Sequence, residues 1–275
     1  MSKGDPAKTA DSSPLHVVQV EMASLRYLMP QERFSGMKEF AIRWLQRRVQ
    51  YYDLWALSEV NIAVERSEIL GVVGRNGAGK STLLKLIAGV LHPTEGRVRV
   101  SGSIAPLLGL GAGFHPELTG RENVYLYGAL LGYNRREMDG YFESIVEFAE
   151  LSEFIDSPLR TYSGGMSLRL GFAVATCRYA DVLLVDEVLA VGDVQFQAKC
   201  LRRMKSFRDE GASIVYVSHD LGSVRGVCDR VVWLEGGRVL EDGQIDIVLS
   251  RYVEFLAGED ENETTRGGIN TTVLS

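Results

Sequence analysis

Gly74-Arg75-Asn76-Gly77-Ala78-Gly79-Lys80-Ser81-Thr82 stands between two unlike segments. Before it, Ile69 to Val73 is an apolar run short enough for a buried strand; after it, Leu83, Leu84, Leu86, Ile87, Val90 and Leu91 recur at helical spacing. Strand, glycine-rich turn and helix are the setting in which G-x-x-x-x-G-K-[ST] reads as a phosphate-binding P-loop. Gly74, Gly77 and Gly79 let the backbone wrap closely enough for its N–H groups, those of Arg75, Asn76, Ala78 and Thr82 included, to point at phosphate oxygens. The positive end of the new helix adds to the attraction. Lys80 is placed to reach the terminal phosphates, and Ser81 to give its hydroxyl to a magnesium ion. The chemistry therefore implies a bound polyphosphate with Mg2+.

The 275 residues suffice for one good-sized core with appendages, and 45% hydrophobic with 24% charged content is ordinary for a globular protein. A net charge of -6 argues against a nucleic-acid partner held by bulk electrostatics. No run of eighteen apolar residues is present, and Met1 to Pro14 lacks the apolar centre of a secretory signal. Cys177, Cys200 and Cys228 lie far apart without C-x-x-C pairing, so they read as reduced core thiols of a cytosolic protein.

Along the chain, residues 1–14 are expected to be disordered and a nucleotide-binding unit to occupy 15–257, followed by a flexible tail over 258–275. Val17 to Met22 predicts a strand that Leu25 and Tyr27 continue or leave. From Gln31 to Tyr52, Phe34, Met37, Phe40, Ala41, Trp44 and Leu45 alternate with Lys38, Arg43, Arg47 and Arg48 in an amphipathic helical pattern with a basic face. Two readings compete for it: a surface helix packed on its own domain, or a helix facing a membrane or membrane partner. Leu57 to Val64 and Val98 to Val100 predict strands. A helical subdomain is expected over about 117–179, with helices at Arg121 to Leu131, Arg135 to Glu150 and Ser167 to Tyr179. Val182 to Val185 and Ser213 to Val217 read as buried parallel strands, Val231 to Asp242 as an antiparallel hairpin and Ile245 to Leu256 as a final helix.

Val182 to Val185 runs into Asp186-Glu187, and Ser213 to Val217 into Ser218-His219-Asp220. Polar groups at the carboxyl ends of parallel strands are where open α/β sheets collect their active sites. Asp186 is placed to hold magnesium beside the P-loop, and Glu187 to polarise the water that attacks the γ-phosphate.

Ser163-Gly164-Gly165-Met166, opening a helix, resembles the signature loop of ATP-binding cassette (ABC) proteins, which normally reads Leu-Ser-Gly-Gly-Gln; Tyr162 and Met166 depart from it. His219 resembles that family's switch histidine, and Ala190-Val191-Gly192-Asp193 stands where its D-loop belongs. The resemblance covers Ile69 to His219. It implies an α/β fold, a P-loop core with an antiparallel β portion and a helical subdomain. It also implies ATP hydrolysis by a head-to-tail pair of identical chains, each ATP lying between the P-loop of one and Ser163, Gly164 and Gly165 of the other. In that arrangement His219 holds the attacking water with Glu187; a buried, structurally satisfied histidine is the alternative.

Within the family the phrases Phe114-His115-Pro116-Glu117-Leu118-Thr119-Gly120-Arg121-Glu122-Asn123 and Asp186-Glu187-Val188-Leu189-Ala190-Val191-Gly192-Asp193 are similar to those of ATPases exporting O-antigen, capsule and teichoic acid. That likeness implies a transmembrane permease partner and a peripheral place on the cytoplasmic face of the inner membrane, with the insertion between Tyr27 and Leu57 near the permease mouth. A soluble cassette ATPase acting on DNA or ribosomes and a non-hydrolysing ATP-binding regulator are the rival readings. Two departures stand out. No glutamine occurs between Ser101 and Gly120, where the family places one; Gly109 and Leu110 are the nearest positions. The chain also leaves no room for the further carbohydrate-binding domain of some members. For the adenine base the positional match is Tyr27, with Trp55 as rival and core packing as the alternative for both.

Overall fold

The computed structural model describes residues 16–30, 51–186 and 193–267, with backbone only for Pro30 and 259–267. Glu187, the D-loop residues 190–192 and the 31–50 part of the amphipathic run lie outside the described residues. The strands, in chain order, are β1 His16–Pro30, β2 Tyr51–Glu65, β3 Ile69–Val73, β4 Glu95–Val100, β5 Ile104–Leu107, β6 Val182–Asp186, β7 Ser213–Val217, β8 Arg230–Glu235 and β9 Arg238–Gly243. The described helices are α1 Lys80–Ile87, α2 Gly120–Leu130, α3 Arg135–Ala149, α4 Gly164–Ala175, α5 Val194–Asp209, α6 Leu221–Val227 and α7 Ile245–Gly267.

β3 lies inside a six-stranded sheet of order β5-β6-β7-β3-β8-β9, parallel except for the antiparallel edge β9. All five of its residues are buried because both faces of the sheet are covered. Ile69 and Val73 face one core with α2 to α7, while Leu70 and Val72 face a second with α1 and the antiparallel sheet. Leu183 and Val185 on β6, and Ile214 and Tyr216 on β7, join the first core; their neighbours Val182, Leu184, Val215 and Val217 join the second. Each such aliphatic side chain contributes roughly 1.5–3 kcal/mol of burial.

The second sheet, β2-β1-β4, is antiparallel. Its first strand runs through Leu25 and Tyr27 to Pro30 past an irregularity at Met22, whose amide donates to Asn61 Oδ1 at 2.8 Å. β2 starts at Tyr51, so Tyr51 and Tyr52, which the amphipathic pattern assigns to a helix, are strand residues paired with Pro30 and Met29. Ile104 to Leu107, glycine-flanked and short, is also a strand.

Helices α2, α3 and α4 follow β5. Thr119 with Glu122 and Asn134 with Glu137 build capping boxes on α2 and α3. The third helix begins earlier than its apolar spacing suggests, at Gly164, and stops at Ala175. Two further helices, α5 and α6, follow the parallel strands. α7 continues in helical backbone to Gly267, past Gly258 where composition suggests a loose tail.

Candidate functional site

The P-loop is held from several sides. Gly74 must lack a side chain: its φ is 151°, and a Cβ there would stand 2.0 Å from the Leu234 carbonyl oxygen. The Ala78 amide donates to the Arg75 carbonyl at 3.1 Å, and the amide of Gly237, in the β8–β9 turn, donates to the Ala78 carbonyl at 3.0 Å. Gly79, left-handed at φ 106°, caps α1. Lys80 is 5% exposed, and its Nζ donates to the carbonyls of Gly74 at 2.7 Å and Arg75 at 2.9 Å. Asn76, Gly77, Gly79, Lys80, Ser81 and Thr82 line, with Ala56, an open cleft of about 190 Å³. Backbone donors, an ammonium group and a hydroxyl at a helix start are what a polyphosphate binds.

Asp186 ends β6 opposite Val217, which on its other side pairs with Val72, two residues before Gly74. Two strand spacings separate Asp186 from Val72, about 10 Å, so the carboxylate and the P-loop share the carboxyl edge of the sheet. Its Oδ1 is buried and has no hydrogen-bond partner among the described residues. A buried carboxylate oxygen left over at this edge suits a hard cation. With the exposed Ser81 hydroxyl it makes an all-oxygen donor pair that fits Mg2+ bound chiefly through nucleotide oxygens. Among the described residues no group of three His, Cys, Asp or Glu side chains could hold a metal by itself.

His219 follows β7 on the same edge and is exposed rather than buried. Its backbone is braced on both sides. The Asp220 amide donates to Ser218 Oγ at 3.1 Å, Ser218 and Tyr216 hydrogen-bond Ser223, and Asp220 caps α6 through the Gly222 amide at 2.9 Å.

Ser163 caps α4, its Oγ accepting from the Met166 amide at 3.2 Å. Ser163 and Gly164 are exposed, and nothing lies within 4 Å of a Cβ placed on Gly164. None of Ser163, Gly164 and Gly165 lines the P-loop cleft. The two departures from the signature pattern are packing groups. Tyr162 donates its hydroxyl to the Phe154 carbonyl at 2.7 Å over Gly120, and Met166 rests against the core.

Asp193 caps α5, accepting from the Phe196 amide at 2.9 Å, and pairs with Arg169 on α4. Tyr27 is half-buried and packs, like Ala56, against the core under the P-loop. Trp55 is 40% exposed, with the Arg26 guanidinium 5.7 Å from its ring. Neither ring lines the cleft.

Residue-by-residue reading missed Asn123. It is fully buried and clamps the turn before α2: its Nδ2 donates to the carbonyls of His115, Leu118 and Thr119 at 3.1, 3.1 and 2.9 Å, and its Oδ1 accepts from the His115 amide at 2.7 Å.

The family model described as "ABC transporter" matches residues 57–190. The chain is 48% identical over 202 residues to the O-antigen export system ATP-binding protein RfbB of Klebsiella pneumoniae, covering 74% of this chain and 82% of that one. It is 44% identical over 227 residues to the protein of the same name from Myxococcus xanthus, spanning 82% of this chain and about half, 52%, of the relative. It is 42% identical over 202 residues to the teichoic acids export ATP-binding protein TagH of Bacillus cereus, 74% of this chain and 37% of the relative. Among solved structures, an ATP-binding subunit of an ABC transporter superposes with a TM-score of 0.67 at 22% identity, covering 86% of this chain and 93% of that one, a likeness of fold. A dimeric bacterial ABC transporter cassette gives the same score and identity over 83% and 98%. With its phosphate cradle, its edge carboxylate and its serine-capped helix in the fold of these cassettes, the chain belongs to the ABC transporter family.

Proposed function

We propose that this ABC ATPase works as the motor of an exporter of a lipid-linked polysaccharide or related polymer, held by a transmembrane permease on the cytoplasmic face of the inner membrane. The observation that carries the ATPase chemistry is the unpartnered Asp186 oxygen on the sheet edge beside the Lys80 cradle. The kinship to O-antigen and teichoic-acid export proteins supports the cargo class, and the dimeric cassette of like fold supports pairing of two copies.

In this reading the loop N–H groups and Lys80 bind the β- and γ-phosphates, and Ser81 and Asp186 hold Mg2+. When bound, the ion neutralises charge developing on the phosphate oxygens. Glu187, one residue past the metal-holding carboxylate, accepts the proton of the attacking water, and His219 orients that water from the neighbouring strand end. Ser163 with the Gly164 and Gly165 amides grips the γ-phosphate of the opposing copy, a role for which their exposure leaves them open. Tyr27, the positional match, carries the adenine base, with Trp55 as its rival. The exposed Leu28, Met29, Tyr51, Tyr52 and Leu54, at the ribbon end from which 31–50 departs, fit a position against the permease or the lipid surface.

Deleting the gene in its own host is the test. Surface polymer should disappear while lipid-linked polymer accumulates inside, and the wild-type gene but not Glu187→Gln should restore export. Normal surface polymer in the deletion strain would contradict the cargo assignment.

A further inference from the structure

β8 ends beside the P-loop. Its Trp233 pairs with Val73, the residue before Gly74, and the Leu234 carbonyl is the group that a side chain on Gly74 would strike. Just past the strand, the Gly237 amide donates to the Ala78 carbonyl at 3.0 Å. Arg75 and Glu235 therefore leave the ends of two neighbouring strands side by side. Arg75 is exposed, and it does not line the nucleotide cleft.

Glu235 carries a second orphaned carboxylate oxygen on this sheet edge. Its Oε2 is buried and, like Asp186 Oδ1, has no hydrogen-bond partner among the described residues. Arg238, opposite Glu235 across the turn, pairs with Glu59 at 3.8 Å. The face of β8 that bears Trp233 and Glu235 is covered by α7, whose Tyr252 and Phe255 rings lie 5.5 and 5.0 Å from the Trp233 ring, centroid to centroid. Tyr252 is 6% exposed and feels both charges: burial, then the Glu235 carboxylate, raises its hydroxyl above the ordinary range, and the Arg75 guanidinium opposes them. Glu235, Arg75 and Tyr252 thus gather at one corner between β3, β8 and α7. A buried carboxylate oxygen without a hydrogen bond calls for a countercharge, and Arg75 is the cation at this corner.

We propose that Glu235 is a positioning residue for nucleotide binding: through Arg75 it holds the first turn of the P-loop once Lys80 leaves that turn for a phosphate. Lys80 Nζ ties the Gly74 and Arg75 carbonyls together by two hydrogen bonds. A polyphosphate draws the ammonium away just when the loop amides must stay aimed at the ligand. The hairpin β8–β9 then supplies the hold from outside the cleft, with Leu234 against Gly74, the Gly237 amide on Ala78 and the Glu235 charge on Arg75. This rests on the phosphate-binding reading of the loop given above.

The test is calorimetric binding of Mg-ATP to the full chain, with turnover measured against ATP concentration. Glu235→Gln keeps the size of the side chain and removes its charge. It should raise Kd and KM by about tenfold, leave kcat within about twofold and not lower the melting temperature of the nucleotide-free chain. Glu241→Gln removes a carboxylate of the same hairpin that pairs with Arg251 on α7 instead, and should leave Kd within about twofold. In an Arg75→Met background, Glu235→Gln should cost less than about threefold, because its target is gone. The proposal is overturned if Glu235→Gln binds Mg-ATP as well as wild type or better, if Glu241→Gln loses as much, or if the loss from Glu235→Gln is undiminished beside Arg75→Met. Should Glu235→Gln not fold, Arg75→Met decides: a Kd raised by about tenfold at unchanged kcat supports the proposal, and an unchanged Kd overturns it. A wild-type chain that binds no Mg-ATP would instead count against the phosphate-site reading, before any variant is compared.

Discussion

Gly171 on α4 lies against the backbone of Gly111: a methyl group at 171 would stand 2.9 Å from the Gly111 nitrogen and 3.2 Å from the Leu110 Cβ. The stretch 108–114 carries the chain from β5 toward the helical subdomain and holds the positions where the family's glutamine is missing. Here the backbone itself, packed on α4, makes the connection. Phe114 meets the Tyr127 ring edge-on at 5.1 Å. Gly171→Ala should therefore destabilise the fold by about 1–3 kcal/mol despite alanine's better helix propensity, and it should lower ATP turnover. Urea unfolding measures the first; a stabilised variant would show that the contact yields easily.

Asn123 makes four hydrogen bonds inside the protein. Asn123→Ala leaves three carbonyls and an amide of the 115–119 turn with fewer partners, at a cost of about 2–3 kcal/mol in urea unfolding. Because the turn leads into α2, hydrogen exchange should rise first at His115 to Thr119.

Asp186 keeps an uncompensated buried oxygen in the nucleotide-free chain. Asp186→Asn should leave the melting temperature of that form unchanged or higher, yet cut Mg-ATP turnover by about a hundredfold or more. Nucleotide affinity measured with and without Mg2+ isolates the cause: the variant should lose the gain that the ion brings. An undiminished Mg2+ effect would remove Asp186 from the metal site.

Burial pushes the Cys200 and Cys228 thiols up to about 12 from 9.0. A raised folded-state pKa leaves its contribution intact below the unfolded value and loses it as pH climbs toward the folded one. The melting temperature should accordingly fall as pH passes 9 and continues toward 12. At pH 8 both thiols should resist iodoacetamide in the folded chain and react on unfolding, whereas rapid native labelling would show that they are not core groups.

The parallel strands and the P-loop were legible because both depend on short-range pattern: a five-residue apolar run cannot be half-exposed, and glycine, lysine and serine in that register have few other uses. Asp186 was legible for the same reason, as the first polar residue after a buried run. Ile104 to Leu107 was not, since four residues hemmed by glycine carry too little periodicity to mark a strand. α5 holds Phe196, Cys200, Met204 and Phe207 at helical spacing but lies in a polar segment overshadowed by the motif before it. The Arg169 pairs with Glu150 and Asp193, 19 and 24 residues away, arise only when three helices pack together. Tyr51 and Tyr52 fitted a helical face equally well until pairing with Pro30 and Met29 made them strand.

The most direct measurement is a structure of the Glu187→Gln chain with Mg-ATP. Two copies should enclose two nucleotides, each γ-phosphate within about 3 Å of Lys80 from one copy and of the Ser163 hydroxyl from the other. ATP held by a single copy, with Ser163 left in solvent while both P-loops are filled, would contradict the head-to-tail motor.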